Sequence, residues 1–443
     1  MASAAEQLAS NLNFGAFKNA HELKQRIMFT LVALVIYRLG TYIPIPGINP
    51  QALADVFKQQ QSGILGMFNM FSGGAVGRMA IFALNIMPYI SASIIIQLLT
   101  TVSPTLEQLK KEGEQGRRQI NQYTRYGTVL LAALQGYGIA VGLEGAGNIV
   151  TDPGWFFRIT TVITLVGGTV FLMWLGEQIT ARGVGNGISL IIYAGIVAEL
   201  PSALIGTLEL GRQGALSAGL IIVLFIFAIV VIGFIVFMER AQRRLLVQYP
   251  KRQVGNKMFQ GDASHLPLKL NTAGVIPPIF ASSLLLLPIT VANFSAGQGP
   301  EWLNSVTAML GRGQPLYILI YVSLIIFFAF FYTAIVFNPK ETADNLKKYG
   351  GFLPGIRPGE RTAEYIDYVL TRITAVGALY LAAVCVLPEI LIAEWGVPFY
   401  FGGTSLLIVV SVTMDTVAQI QSHLLAHQYE GLIKKAKLRG RRR

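Results

Sequence analysis

Ten long apolar stretches, joined by loops whose basic residues collect on one alternating set, constrain this chain more than any other feature of its sequence. The stretches run over about 25–43, 80–100, 123–142, 155–176, 187–206, 216–238, 272–292, 315–337, 371–392 and 401–422. Each approaches the ~20 residues an α-helix needs to cross a bilayer core. Take the N-terminal tail and every second loop as one face. That face carries all but six of the 35 Lys and Arg residues, the exceptions being Arg38, Lys58, Arg78, Arg158, Arg212 and Arg312. Basic loops are retained on the cytoplasmic side during insertion, so both termini are expected there. The pattern predicts an all-α membrane protein with ten transmembrane helices.

Composition points the same way. Charged residues make up 13% of the chain, against about 25% in soluble domains, and 53% of residues are hydrophobic. A net charge of +12 is compatible with nucleic-acid binding, but basic loops beside an anionic leaflet account for it without one. Lys18, Lys24 and Arg26 precede the first apolar run and no small-residue cleavage site follows, so that run is expected to stay as an anchor. Cys385 is the chain's single cysteine. It cannot form an intrachain disulfide.

Ten spans divide into five and five near the loop at 206–215. An odd number per half makes any structural repeat inverted, with a functional site near the midplane between the halves. The expected organisation is a cytoplasmic tail at 1–24, an N-terminal half at 25–206, a C-terminal half at 207–425 and a basic cytoplasmic tail at 426–443. Two features interrupt the regular pattern. Ile64–Phe71 is apolar, too short to span and bounded by glycines, which reads either as a re-entrant segment or as an ordinary external loop helix. Pro277-Pro278 falls early in the seventh span, where a kink is expected. The loops at 239–270 and 338–370 are long, basic and rich in turn residues, as binding surfaces often are. A hairpin is expected around Val254-Gly255-Asn256, with Pro250 counting against its leading strand.

Familiar catalytic patterns are missing. There is no phosphate loop of the GxxxxGK type. Gly183–Gly187 is glycine-rich but lacks dinucleotide-binding spacing, and is expected to open the fifth helix. His423 and His427 share a helix face without a third ligand, so no metal site is predicted. Ion-coupled transporters place acids or bases near the midplane. Here Glu177 and Glu199 lie at span ends, and Asp415, the deepest candidate, is followed by Gln419, Gln421 and His423, so it is expected at a cytoplasmic mouth.

Several long motifs closely resemble the SecY family of bacterial protein-conducting channels. They begin at Pro44-Ile45-Pro46-Gly47 and include Phe68-Asn69-Met70-Phe71-Ser72-Gly73-Gly74, Met87–Ile95, Glu112-Gly113-Glu114 and Gly116-Arg117-Arg118. Trp174–Thr180, Gly185-Asn186-Gly187, Asn338–Leu346, Pro354–Gly359 and Phe399–Ser405 complete the series in family order.

The resemblance implies two pseudo-symmetric inverted halves of five helices around an hourglass pore, opening across the membrane and sideways into lipid. The implied pore ring is Ile86, Ile90, Ile188, Ile192, Ile279 and Ile408. The bare sequence adds only that 86/90 and 188/192 are i,i+4 pairs, each sharing a helix face. The implied plug centres on Ile64, Leu65, Met67, Phe68, Asn69, Met70 and Phe71. Ser91, Gln97, Gln135, Pro277 and Ser282 fall at the implied lateral gate, and Arg357, Lys251, Arg252 and Lys257 on the implied docking loops. The family usually has one proline before the seventh-span isoleucine. With Pro277-Pro278 here, Ile276 could share or replace the role of Ile279.

The resemblance further implies transport of unfolded secretory chains outward and release of membrane segments sideways, from the bacterial cytoplasmic membrane. No catalytic group or cofactor is implied. Implied partners are SecE-like and SecG-like membrane subunits, a SecA-like motor ATPase, the ribosome with its RNA, the unfolded preprotein and membrane lipids. The competing class is a ten-span secondary transporter of small solutes, which a midplane charge pair would favour.

Overall fold

The computed structural model describes residues 21–60, 69, 72–145, 149–214, 217–250, 252–254, 257–259, 263–294, 314–395 and 403–440. In chain order the helices are α1 (His21–Gly40), α2 (Pro50–Gln60), α3 (Met87–Val102), α4 (Pro104–Lys111), α5 (Glu114–Gly145), α6 (Trp155–Arg182), α7 (Gly187–Arg212) and α8 (Ala218–Arg240). Four strands follow: β1 (Gln242–Gln248), β2 (Arg252–Val254), β3 (Lys257–Phe259) and β4 (Ala263–Lys269). The helices α9 (Ile276–Phe294), α10 (Pro315–Val336), α11 (Pro339–Lys348), α12 (Glu360–Trp395) and α13 (Gly403–Gly440) complete the order.

Each of the ten apolar stretches overlaps one of these helices. Among the described residues seven helices are long and apolar enough to cross a membrane, or eight if α3 and α4, bent by 99° at their junction, count as one span. The chain is therefore a multi-pass, mainly helical membrane protein. Helix ends follow local chemistry. Ser217 caps α8 by accepting from the Leu220 N–H, and Asn338 caps α11 by accepting from Lys340 and Glu341, with Pro339 in the first turn where its missing N–H costs nothing.

The described residues form two compact units. One holds the residues up to Ser202, residues 290–294 and those from Val412 onward; the other holds Ala203–Ile289 and the stretch from 314 to Ser411. In the first, α5 packs against α3 and α6, with Gly136 facing Leu165 and Val162. Ile45, Met79, Leu84, Ala132, Ile149 and Leu165 form its buried centre. In the second, α10 and α12 pack together, the Tyr321 hydroxyl meets Thr404 Oγ1 at 2.9 Å, and Phe280 sets its edge on Phe328.

Three expectations change. The second span was predicted from 80, but its helix begins at Met87. Met79 and Asn85 have positive φ angles of 44° and 49°, so the backbone turns where hydropathy saw a helix. Pro277-Pro278 falls in the first turn of α9 rather than inside a running helix, so the proline pair starts a helix instead of kinking one. The loop at 239–270 is not only a hairpin. β2 pairs with β3 at the expected place, while β1 and β4 form a longer antiparallel ladder around it. Pro250 lies between β1 and β2, where a residue without an N–H interrupts no ladder.

Candidate functional site

The predicted ring residues occupy helices of both units. In the first unit Ile86 precedes α3 and Ile90 lies one turn on, its N–H bonded to the Ile86 carbonyl at 3.1 Å. Both are buried, as is Ile192 on α7. Ile188 is half-buried. Its Cγ1 lies 3.3 Å from where a Cβ on Gly176 of α6 would sit. In the second unit Ile279 on α9 and Ile408 on α13 are buried, whereas Ile276 is half-buried.

The N-terminus of α7 is held by side chains. Val184 donates to Thr30 Oγ1, Gly185 to Gln419 Oε1, Gly187 to Thr180 Oγ1 and Ile188 to Asn186 Oδ1, all at 2.8–3.1 Å. These N–H groups have no partner within the helix. Leu23, Ile27, Ile420 and Leu424 cover Val184 with an apolar layer. The glycine-rich motif thus opens α7, as predicted, inside a socket built by α1, α6 and α13.

A second cluster grips the backbone before α3. The Tyr37 hydroxyl, with Tyr37 0% exposed, donates to the Ser72 carbonyl at 3.2 Å. The Gly73 carbonyl accepts from Arg78 at 2.8 Å and also from Arg38, using both oxygen lone pairs. The Tyr42 ring receives both guanidinium groups, with centroid distances of 4.9 Å to Arg38 and 4.2 Å to Arg78. Gly73 and Gly74 have φ of 64° and 82°, a region open to glycine and strained for other residues. A Cβ on Gly74 would run into the Glu199 carboxylate and the Arg78 guanidinium. In the sequence these glycines only bound the short apolar run. The structure makes them a fixed point. Of the predicted plug residues, Ile64, Leu65, Met67, Phe68, Met70 and Phe71 lie outside the described residues. Asn69 is described; its carbonyl accepts from Gly74 and Ser72, and its Oδ1 from the Gly77 N–H at 2.7 Å.

The predicted gate residues are positioned separately in each unit. Ser91 is buried on α3, while Gln97 and Gln135 are half-buried on α3 and α5. Gln97 Oε1 is buried without a hydrogen-bond partner. In α9, Pro277 is buried, and Ser282 Oγ donates back to the Pro278 and Ile279 carbonyls at 3.0 and 2.9 Å. Away from these groups, Arg125 of α5 makes a bidentate pair with Glu177 of α6, and Arg158 pairs with Glu144 at 2.6 Å.

The two long basic loops fold into one body. β1 and β4 pair along their full length, and Gln248 exchanges two backbone hydrogen bonds of 2.9 Å with Phe352 from the other loop. Leu245, Val247, Leu268, Leu353, Ile366 and Val369 share its core. Arg357 projects from it and is exposed. Its backbone is pinned: Thr362 Oγ1 donates to the Arg357 carbonyl at 3.0 Å, and the Ile356 N–H donates to Leu353. Arg252 and Lys257 lie on β2 and β3; Lys251 lies outside the described residues. Among the described residues no group of His, Cys, Asp and Glu could hold a metal ion.

Sequence comparison matches the SecY family model over residues 80–417. The chain belongs to the SecY family. It is 59% identical over 426 residues to Protein translocase subunit SecY of Rickettsia conorii, covering 95% of this chain and 98% of that one. The Escherichia coli K12 protein of the same name is 58% identical over 423 residues, covering 95% and 96%. SecY-like architecture also appears in solved structures at 18% identity. One described as a protein conducting channel superimposes with a TM-score of 0.65, covering 90% of this chain and 92% of that chain. Another, described as Sec61 in a canine ribosome-channel complex, gives 0.63 with the same coverage.

Proposed function

We propose that this chain is the channel subunit of a protein translocase, passing unfolded secretory polypeptides across the bacterial cytoplasmic membrane and releasing transmembrane segments into lipid. The observation that carries the reading is the end-to-end likeness, at 59% identity, to a protein named as a translocase subunit. Buried isoleucines on α3, α7, α9 and α13 support it. Branched apolar side chains at a constriction disfavour a water column and offer a passing chain no hydrogen bonds to hold it. Ile86, Ile90, Ile188, Ile192, Ile279 and Ile408 form the ring in this reading. Ser91, Gln97, Gln135, Pro277 and Ser282 line a gate that α9 opens. Weak polar contacts between membrane helices, about 0.6 kcal/mol each, suit reversible opening.

The chain itself carries no catalytic step. Energy comes from a SecA-like motor ATPase or a translating ribosome docked on the cytoplasmic body around Arg357, with SecE-like and SecG-like subunits beside it in the membrane. The guanidinium offers a planar fork of donors for carboxylates on a motor or phosphates on ribosomal RNA. Both termini are cytoplasmic, as the loop charges require. A stalled secretory precursor tests the reading. Cysteines at Ile90 and Ile192 should crosslink to the trapped chain, and glycines there should raise ion conductance through resting channels in planar bilayers. Absence of crosslinks together with unchanged conductance would reject the ring assignment.

A further inference from the structure

The body formed by the two cytoplasmic loops is tied to the start of α9 through one buried side chain. β4 ends at Lys269. The next residue, Leu270, donates its N–H to the Ala241 carbonyl at 2.9 Å, closing the base of the β1–β4 ladder. Asn271 follows and is 5% exposed. Its Nδ2 donates to Glu239 Oε1 at 2.6 Å and to the Gly274 carbonyl at 3.1 Å. Glu239 lies in the last turn of α8, and Gly274 stands just before α9. Gly377 of α12 presses on the same point, since a Cβ there would overlap the Leu270 carbonyl. The side-chain amide therefore joins the end of one membrane helix, the base of the cytoplasmic body and the entry to another membrane helix.

The chemistry favours transmission over simple filling. Both amide hydrogens of Asn271 are used, one on a carboxylate, and such charge-assisted bonds are short and directional. Pro277 and Pro278 have no N–H, so the first turn of α9 offers few other handles to the cytoplasmic side. We propose that Asn271 is a positioning residue that couples load on the cytoplasmic body to movement of α9, acting through Glu239 and the Gly274 carbonyl. This rests on the reading of that body as the docking surface.

The test uses the full chain with its membrane partners in proteoliposomes, measuring motor binding and ATP-driven translocation separately. Asn271→Leu keeps the branched shape and removes both hydrogen bonds. Motor affinity should stay within about twofold while translocation falls roughly tenfold, the equivalent of about one hydrogen bond. Glu239→Gln retains an acceptor oxygen and should restore near-normal transport. Glu239→Leu should match Asn271→Leu, and the double variant should be no worse than either alone. Normal transport by Asn271→Leu would overturn the proposal, as would equal loss in Glu239→Gln and Glu239→Leu. Loss of motor binding in Asn271→Leu would also overturn it, by making the residue part of the body's fold. Arg357→Glu provides the separate control. Unchanged motor binding there would reject the docking surface itself, and with it the source of the load.

Discussion

Two regions of this protein outside the long helices hold their backbone in place by different means. In the run from Ser72 to Ile86, side chains come to the backbone: Tyr37, Arg38 and Arg78 donate to the Ser72 and Gly73 carbonyls. In the body formed by the two long loops, backbone pairs with backbone along β1 and β4 and at Gln248 and Phe352, leaving side chains to make an apolar core. The difference follows from what each run can form. The first has two residues of positive φ, Met79 and Asn85, besides its glycines. It cannot run as a helix, so its buried carbonyls need long donors from outside. The second alternates exposed and buried residues through Leu245, Leu246 and Val247, which suits a half-solvated ladder. Failure of the first should therefore be electrostatic and of the second hydrophobic.

The largest expected effect tests what the body formed by the two long loops presents. Arg357→Glu should abolish ATP-driven translocation, a loss exceeding ~30-fold, as expected when a docked charge pair is reversed. Protease protection should show normal insertion, because Arg357 is exposed and its loop is fixed through backbone atoms. Near-normal transport by correctly inserted protein would remove this body from motor engagement.

A smaller effect is expected at the guanidinium cluster. Replacing Arg38 and Arg78 together with Met leaves the Gly73 carbonyl without its donors, at a cost of about 1–3 kcal/mol for a desolvated acceptor. Thermal unfolding in detergent should shift down, and resting ion leak should rise. A double variant that matches the parent in both would show that the carbonyls are not held by charge.

The smallest effect separates the two faces of β1. Val247, 2% exposed, should cost about 1–2 kcal/mol when cut to Ala, whereas Leu246, 39% exposed, should change stability by under about 0.5 kcal/mol. Equal losses at the two positions would mean that the ladder is not supported by a one-sided core.

Hydropathy and charge order revealed the spans because both are summed locally against a fixed bilayer thickness. The ten stretches were legible for that reason, whereas the opening of α7 at Gly187 and the hairpin between Val254 and Lys257 were legible from glycine and turn residues. Where backbone geometry overrode apolarity, reading failed: α3 begins at Met87 because left-handed residues precede it, not because polarity rises. The motif at Pro354–Gly359 drew attention to Arg357, but nothing local announced that Thr362 would pin its carbonyl.

The sequence by itself determined that this is a multi-pass membrane protein with basic residues concentrated in alternate loops, and its motifs pointed to the SecY family. Tertiary structure decided how the pieces are held. Arg38 meets Gly73 across 35 positions, Asn271 meets Glu239 across 32 and Gly185 meets Gln419 across 234. Each pairing satisfies a polar group that burial would otherwise penalise. No local average can reveal such a partner, because the choice is made only when distant segments are packed around the same buried atom.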